Sequence, residues 1–158
     1  VSAPRRVPGS GPAPADPGGI DAIIARAYRE DLGDRGDITS RAVVAASHRA
    51  RASLVARQAG CVAGLGVAAG CFRHVDAALE VVALRADGDL VTAGTVLLTV
   101  EGRTRSILAA ERVALNFLGR LSGIATETRR YVDAVAGTGA EISDTRKTTP
   151  GLRVLEKA

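Results

Sequence analysis

"TRSILAAERVALNFLGRL", Thr104 to Leu121, decides how the chain is read. Before it, short apolar runs alternate with turn residues. Within it, Ile107, Ala110, Ala114, Leu115, Leu118 and Leu121 recur at helical spacing and share one face. Ser122 is placed to cap a second helix, in which Ile124, Thr128, Tyr131, Val132 and Val135 share a face and which Gly137 and Gly139 stop. "AEISDT", Ala140 to Thr145, then reads as a strand with Arg146 and Lys147 at its carboxyl end. That is where parallel α/β sheets and barrels hold ligand-binding groups. "LRVLEKA", from Leu152, looks like the first turn of another helix.

Upstream, Ile20, Ile23, Ile24, Ala27 and Tyr28 form the stripe of an amphipathic helix that Gly33 ends. "EDLGDRGDITS", from Glu30, follows as an acidic, turn-rich loop. Four strand-like runs come next: "ASLVAR" from Ala52, "GCVAG" from Gly60, "LEVVAL" from Leu79 and "TVLLTVEG" from Thr95. A helix from Val67 to Val75 lies between the second and third. Strands interrupted by one helix imply an α+β layer, a sheet covered on one face. Residues 1–19 hold five of the six prolines and are expected to be disordered. They lack the continuous apolar core of a signal peptide.

The composition narrows the function. Of 158 residues 46% are hydrophobic, enough for a core, and no run of 18 apolar residues suggests a membrane span. Aromatics make up 3% and Trp is absent, which argues against base-stacking platforms, so no nucleic-acid partner is expected. The net charge of +4 comes from arginines spread along the chain and mostly flanked by acids, which read as solvated helix faces. Cys61 and Cys71 make no metal pattern and suit a reduced, cytoplasmic setting.

Several motifs tempt and fail. "GLGVAA", Gly64 to Ala69, matches a dinucleotide-binding pattern, with Asp87 and Asp89 about the right distance on. Those acids fall in a turn, and a strand-to-helix turn is the better account. "GDLVTAGTVLLTVEG", from Gly88, resembles the hairpin of lipoyl and biotinyl carrier domains, but residues 1–146 contain no lysine to carry a cofactor. His48 and His74 lack metal-ligand spacing, and no serine sits in a nucleophile elbow.

The basic residues of the last third are harder to dismiss. Only two lysines occur, and one of them, Lys147, stands beside Arg146. A planar guanidinium suits carboxylate or phosphate and an ammonium supplies a mobile point charge. Thr145, Thr148 and Thr149 add donors, as in phosphate-binding turns. Arg112, next to Glu111, reads as a local ion pair. On these residues alone, an anion site and a surface charge beside a turn stand level.

"EDLGDRGDITS", "AAERVALNFLGRLSGIAT", "YVDAVAGT" and "ISDTRKTTPGLRVLEK" together resemble the quinolinate phosphoribosyltransferase family, also called nicotinate-nucleotide pyrophosphorylases (carboxylating), from about Ile20 onward. The resemblance implies an α+β N-terminal sandwich domain over residues 20–115, then the start of an α/β barrel over 116–158. It implies phosphoribosyl transfer from phosphoribosyl pyrophosphate to quinolinate with loss of carbon dioxide, giving nicotinate mononucleotide for NAD biosynthesis. Magnesium would accompany the phosphoribosyl pyrophosphate. Thr145, Arg146 and Lys147 would bind substrate, Lys147 being catalytic as well, and Arg112 would be contributed across a homodimer interface.

A barrel needs roughly 200–250 residues of its own, so the barrel is expected to be truncated. The family's further histidine-arginine pair, another lysine and the magnesium-organising acids would lie beyond, leaving this portion inactive alone. Two alternatives remain: the related pyrophosphorylase-like protein of molybdenum-transport clusters, and a non-catalytic dimerisation module.

Overall fold

The computed structural model describes residues 19–158 and the backbone of Arg5–Arg6. In chain order its elements are β1 (Arg5–Arg6), α1 (Ile20–Leu32), α2 (Ile38–Val43), β2 (Arg49–Val55), β3 (Gly60–Cys61), α3 (Leu65–Val75), β4 (Glu80–Ala83), β5 (Leu90–Val91), β6 (Val96–Arg103), α4 (Thr104–Val135) and α5 (Arg153–Glu156). The expectation of disorder over residues 1–19 falls mostly outside the described residues. Arg5–Arg6, which are described, pair antiparallel with Val82 and Ala83 at a sheet edge.

Four strands form an antiparallel sheet in the order β1-β4-β6-β2, and β3 pairs with β5 in a separate two-stranded sheet. Strand β2 alternates: Ala50, Ala52 and Leu54 turn inward, while Arg49, Arg51 and Ser53 face out. Strand β6 lies between β2 and β4, and Leu97 through Val100 are all buried. Helices α3 and α4 cover the inner face, and Phe72, Leu98, Val100, Ala110 and Ala114 close one core with Ile24 and Tyr28 of α1. The Tyr28 hydroxyl lies 3.1 Å from both the Cys71 and the Ala110 carbonyl oxygens, bridging α1 to α3 and α4. Its ring stacks on His74. Burial pushes the Cys71 thiol up to about 12, so it serves as un-ionised packing. The α+β layer read from the sequence is present.

Four local expectations change. The acidic loop contains α2, because the Asp37 side chain accepts the Ser40 N–H at 2.9 Å and caps six residues of helix. The two strands of the carrier-like stretch do not form a hairpin with each other: β5 pairs with β3, while β6 joins the larger sheet. Leu115 is exposed, and Val113 takes the buried place on α4.

The largest change is that the helix expected to restart at Ser122 never breaks. Ser122 does not cap anything: its Oγ accepts the Ala63 N–H at 3.1 Å and donates to the Ala63 carbonyl at 3.2 Å. Thr126 Oγ1, one turn on, accepts the Cys61 N–H at 2.9 Å. Thr126 Oγ1 also lies 2.7 Å from the Ser122 carbonyl one turn back, and α4 still runs unbroken for 32 residues. The domain boundary expected between residues 115 and 116 therefore falls inside a continuous helix.

Among the described residues no helix is long and apolar enough to cross a membrane.

Gly64 joins β3 to α3 in the left-handed region, φ +92°, and a Cβ there would stand 2.6 Å from Leu121 Cδ1. A Gly64→Ala variant combines backbone strain with overpacking against α4, a loss of about 2 kcal/mol or more. Thermal unfolding should register this as a fall of roughly 4–8 °C.

Candidate anion-binding site

Helix α4 ends where Gly137 and Gly139 adopt left-handed geometry. Residues 140–150 then run without helix or strand. The strand expected over Ala140–Thr145 is absent for a physical reason: a strand exists through ladder hydrogen bonds, and no described segment pairs with this one.

Side chains from the chain's end hold the segment instead. In α5, Leu155 is buried against Ile23 and Leu121. Its neighbour Glu156 receives the Thr149 N–H on Oε2 at 2.9 Å and the Thr149 hydroxyl on Oε1 at 2.7 Å. Arg120 of α4 donates to the same Oε1 from Nη2 at 2.9 Å and Nε at 3.2 Å, and Nη2 also reaches Thr149 Oγ1 at 2.9 Å. Arg153 donates to Thr148 Oγ1 at 3.2 Å and to the Arg146 carbonyl at 3.3 Å. Lys157 pairs with Asp144.

The sequence-read residues divide into two groups. Thr145, Arg146 and Lys147 are adjacent and exposed, and the Thr145 hydroxyl accepts the Lys147 N–H at 3.2 Å. The ion pairs of this region are made by their neighbours, Lys157 with Asp144 and Arg120 with Glu156. Among the described residues no acid pairs with Arg146 or Lys147. Arg26 of α1 adds a further cation beside the turn, since a Cβ on Gly151 would lie 3.2 Å from its Nη2. A shallow concavity of about 280 Å³ runs alongside, between Ile23, the Thr148–Gly151 turn and Arg153. Arg146 and Lys147 stand next to it rather than in its lining.

Arg112 is elsewhere. It pairs with Asp31, at the end of α1, at 2.9 Å, and that bond raises its pKa further. The partner is Asp31 and not the adjacent Glu111. Eight residues separate Arg112 from Arg120, about 12 Å along the helix axis, and its ion pair is with α1 rather than with the segment that carries Arg146 and Lys147.

The decoys resolve structurally. Asp87 accepts the Leu65 N–H at 2.9 Å, so the N-terminus of α3 already has its carboxylate and the dinucleotide pattern is a helix cap. His48 Nδ1 bonds Thr104 Oγ1. Among the described residues no group of three or more His, Cys, Asp or Glu could hold a metal ion. Sequence reading missed Arg120 and Glu156, because partners 36 positions apart carry no local period that would announce them, and it expected Thr149 to offer donors to an anion, whereas its N–H and hydroxyl both go to Glu156.

Comparison with known proteins identifies the family of the chain. The model of the quinolinate phosphoribosyl transferase N-terminal domain matches residues 37–122, and that of the C-terminal domain matches 124–158. A probable nicotinate-nucleotide pyrophosphorylase (carboxylating) of Synechocystis is 47% identical over 138 residues, covering 87% of this chain and 46% of the relative. The Mycobacterium leprae nicotinate-nucleotide pyrophosphorylase (carboxylating) is 45% identical over 139 residues, 85% of this chain and 48% of its own. Among solved structures, NadC from Streptococcus pyogenes superposes with a TM-score of 0.83 at 42% identity, covering 87% of this chain and 49% of that one. The chain spans about half the length of the curated relatives it matches.

The hydrogen bonds from Thr149 and then Arg120 lower the Glu156 carboxyl from 4.5 to about 2. A carboxyl depressed in the folded state stabilises fully above its unfolded value and loses that contribution as pH falls through its folded value. Wild-type protein should therefore lose stability between about pH 4.5 and pH 2 more steeply than Glu156→Gln, as melting curves across that window would record.

Proposed function

This chain belongs to the quinolinate phosphoribosyltransferase family, and we propose on that basis that the protein it represents makes nicotinate mononucleotide from quinolinate and phosphoribosyl pyrophosphate. In that reaction the pyridine nitrogen bonds to C1 of the ribose as the C1–O bond to pyrophosphate breaks. The ring, now cationic, takes up the electron pair released when the 2-carboxylate leaves as carbon dioxide, and a proton from water replaces it at C2.

The observation that carries this reading is the open pair Arg146–Lys147 on a clamped segment, inside the span that matches the family's C-terminal domain. Quinolinate has two carboxylates and its co-substrate several phosphates, so a binding surface needs cations that no internal acid has neutralised. Arg146 supplies a fork that can fix a carboxylate in plane, and Lys147 a compact charge beside it. The Thr145 hydroxyl, already accepting the Lys147 N–H, can donate its own proton to the same anion. Magnesium is proposed to arrive with phosphoribosyl pyrophosphate. The described residues do not fit it as ligands, since they contain no metal-holding group, and no step is assigned through it.

In this reading the segment after α4 opens the α/β barrel, and the 158 residues span about half the length of such an enzyme. The enzyme works as a homodimer with Arg112 reaching the partner's site. Two facts support the placement of Arg112. Its ion pair is with Asp31 of α1, and it stands on an exposed helical face between Leu108 and Leu115, both about 40% exposed although apolar. Apolar side chains flanking an arginine are common at protein–protein interfaces.

In the full-length protein, Lys147→Ala should lower turnover to nicotinate mononucleotide by about 100-fold or more, the scale of removing one charge-stabilising donor. Wild-type turnover in that variant would end the assignment. Mixing inactive Arg112→Ala and Lys147→Ala proteins and allowing subunits to exchange should restore activity, because one hybrid site then holds both residues. A mixture that stays inactive despite proven exchange would rule out the shared site.

A further inference from the structure

We infer that Asp31 is a positioning residue: it aims the Arg112 guanidinium that one protomer extends into its partner's site, and thereby sets the affinity for the pyridine dicarboxylate. This role rests on the shared-site reading above and falls to an acid that does not itself touch substrate.

Two hydrogen bonds join α1 to α4 at this place. Tyr28 lies one turn before Asp31 on α1, and its hydroxyl stands 3.1 Å from the carbonyl of Ala110, two residues before Arg112 on α4. That buried contact fixes how the two helices sit where the acid and the arginine meet. Asp31 Oδ1 then accepts Arg112 Nη1 at 2.9 Å. The Asp31 side chain is 18% exposed, against 72% for Arg112. A carboxylate on a packed helix thus holds the end of a long, rotatable side chain. Arg112 itself falls inside the span that matches the family's N-terminal domain.

Stability and charge balance both account poorly for this pair. Asp31 stands in the last turn of α1, where the carbonyl end of the helix dipole disfavours a carboxylate. An ion pair with an arginine this exposed contributes little to stability. Asp37 and Glu111 already act on the Arg112 charge without bonding it, so neutralisation does not call for a third acid. What Asp31 adds is direction. It engages Nη1, and the Nε–Nη2 edge is the one that meets a carboxylate side-on through two parallel bonds. An arginine free to turn about its stem would present that edge only part of the time, and binding would have to bear the ordering.

In the full-length protein, Asp31→Ala should raise the KM for quinolinate about tenfold with kcat within about threefold of wild type, because an unaimed fork weakens substrate and transition state alike. Simple loss of stability would instead shrink the active fraction, lowering kcat at unchanged KM. If Asp31 served only to neutralise Arg112, its removal would free the cation and lower that KM. Subunit exchange supplies the second readout. Asp31→Ala protein exchanged with inactive Lys147→Ala protein should gain a component with the wild-type KM, since the competent hybrid site takes its Arg112 from the chain with Asp31 intact. An unchanged or lowered KM in Asp31→Ala, or a raised KM that survives exchange, overturns the positioning role while Arg112→Ala and Lys147→Ala still complement each other. If those two variants do not complement despite proven exchange, the shared site falls and this role falls with it.

Discussion

The unbroken course of α4 is the constraint on which the rest of the molecule depends. A serine and a threonine one turn apart could have bent or ended the helix by bonding its own backbone. Ser122 binds the Ala63 backbone instead, and Thr126 accepts the Cys61 N–H while also bonding the Ser122 carbonyl at 2.7 Å, yet the helix continues. The gain is mutual: among the described residues β3 has only β5 as a strand neighbour, and the helix supplies further hydrogen-bond partners. Because α4 is one rod, the same element covers the sheet near Ile107 and Ala110 and presents Arg112 on its exposed face. Farther along, it delivers Arg120 to Glu156.

The balance of charge follows from this geometry. The last third of the chain holds many cations, yet they are not equivalent. Arg120 and Lys157 are engaged by Glu156 and Asp144 and act as fasteners. At the other end of α4, Asp76 gathers Arg103 and Ser106 at 2.9 and 2.8 Å, and those hydrogen bonds, Ser106 first, keep its carboxyl low. Each acid in these places is assigned to a structural arginine, lysine or hydroxyl. Among the described residues, Arg146, Lys147 and Arg26 near the turn have no acid paired with them. Scarcity of lysine in the sequence acquires a meaning here: one lysine fastens the segment, and the other stands open on it.

Much of this was legible in the residues, and the limits are physical. The stripe of α1, the alternation of β2 and the glycine stop after Val135 are local patterns, set by periods of a few residues, and the structure contains them. Ser122 misled because a hydroxyl before a helical run reads as a cap whether or not a distant backbone claims it. Leu115 misled for a related reason: Val113 and Leu115 are both apolar, and only contact with the sheet determines which one turns inward. The Asp37 cap was visible in principle, as an acid ahead of a short helical run, but glycines around it obscured it. At the site, the adjacency of Arg146 and Lys147 could be read directly. The clasp behind them could not, since Arg120, Thr149 and Glu156 meet only through the fold.

The absence of a strand at Ala140–Thr145 sharpens the role of that clasp. A strand borrows its rigidity from neighbours, and a parallel barrel strand borrows from both sides. The contacts that fix Thr148 and Thr149 borrow nothing of the kind: Leu155 seats in a small apolar cluster with Ile23 and Leu121, and Glu156 closes onto Arg120. These partners all lie within the described residues. In the full-length protein proposed above, barrel strands would add their ladder to this attachment, so the clasp and the ladder would hold the cationic segment from opposite sides of one chain.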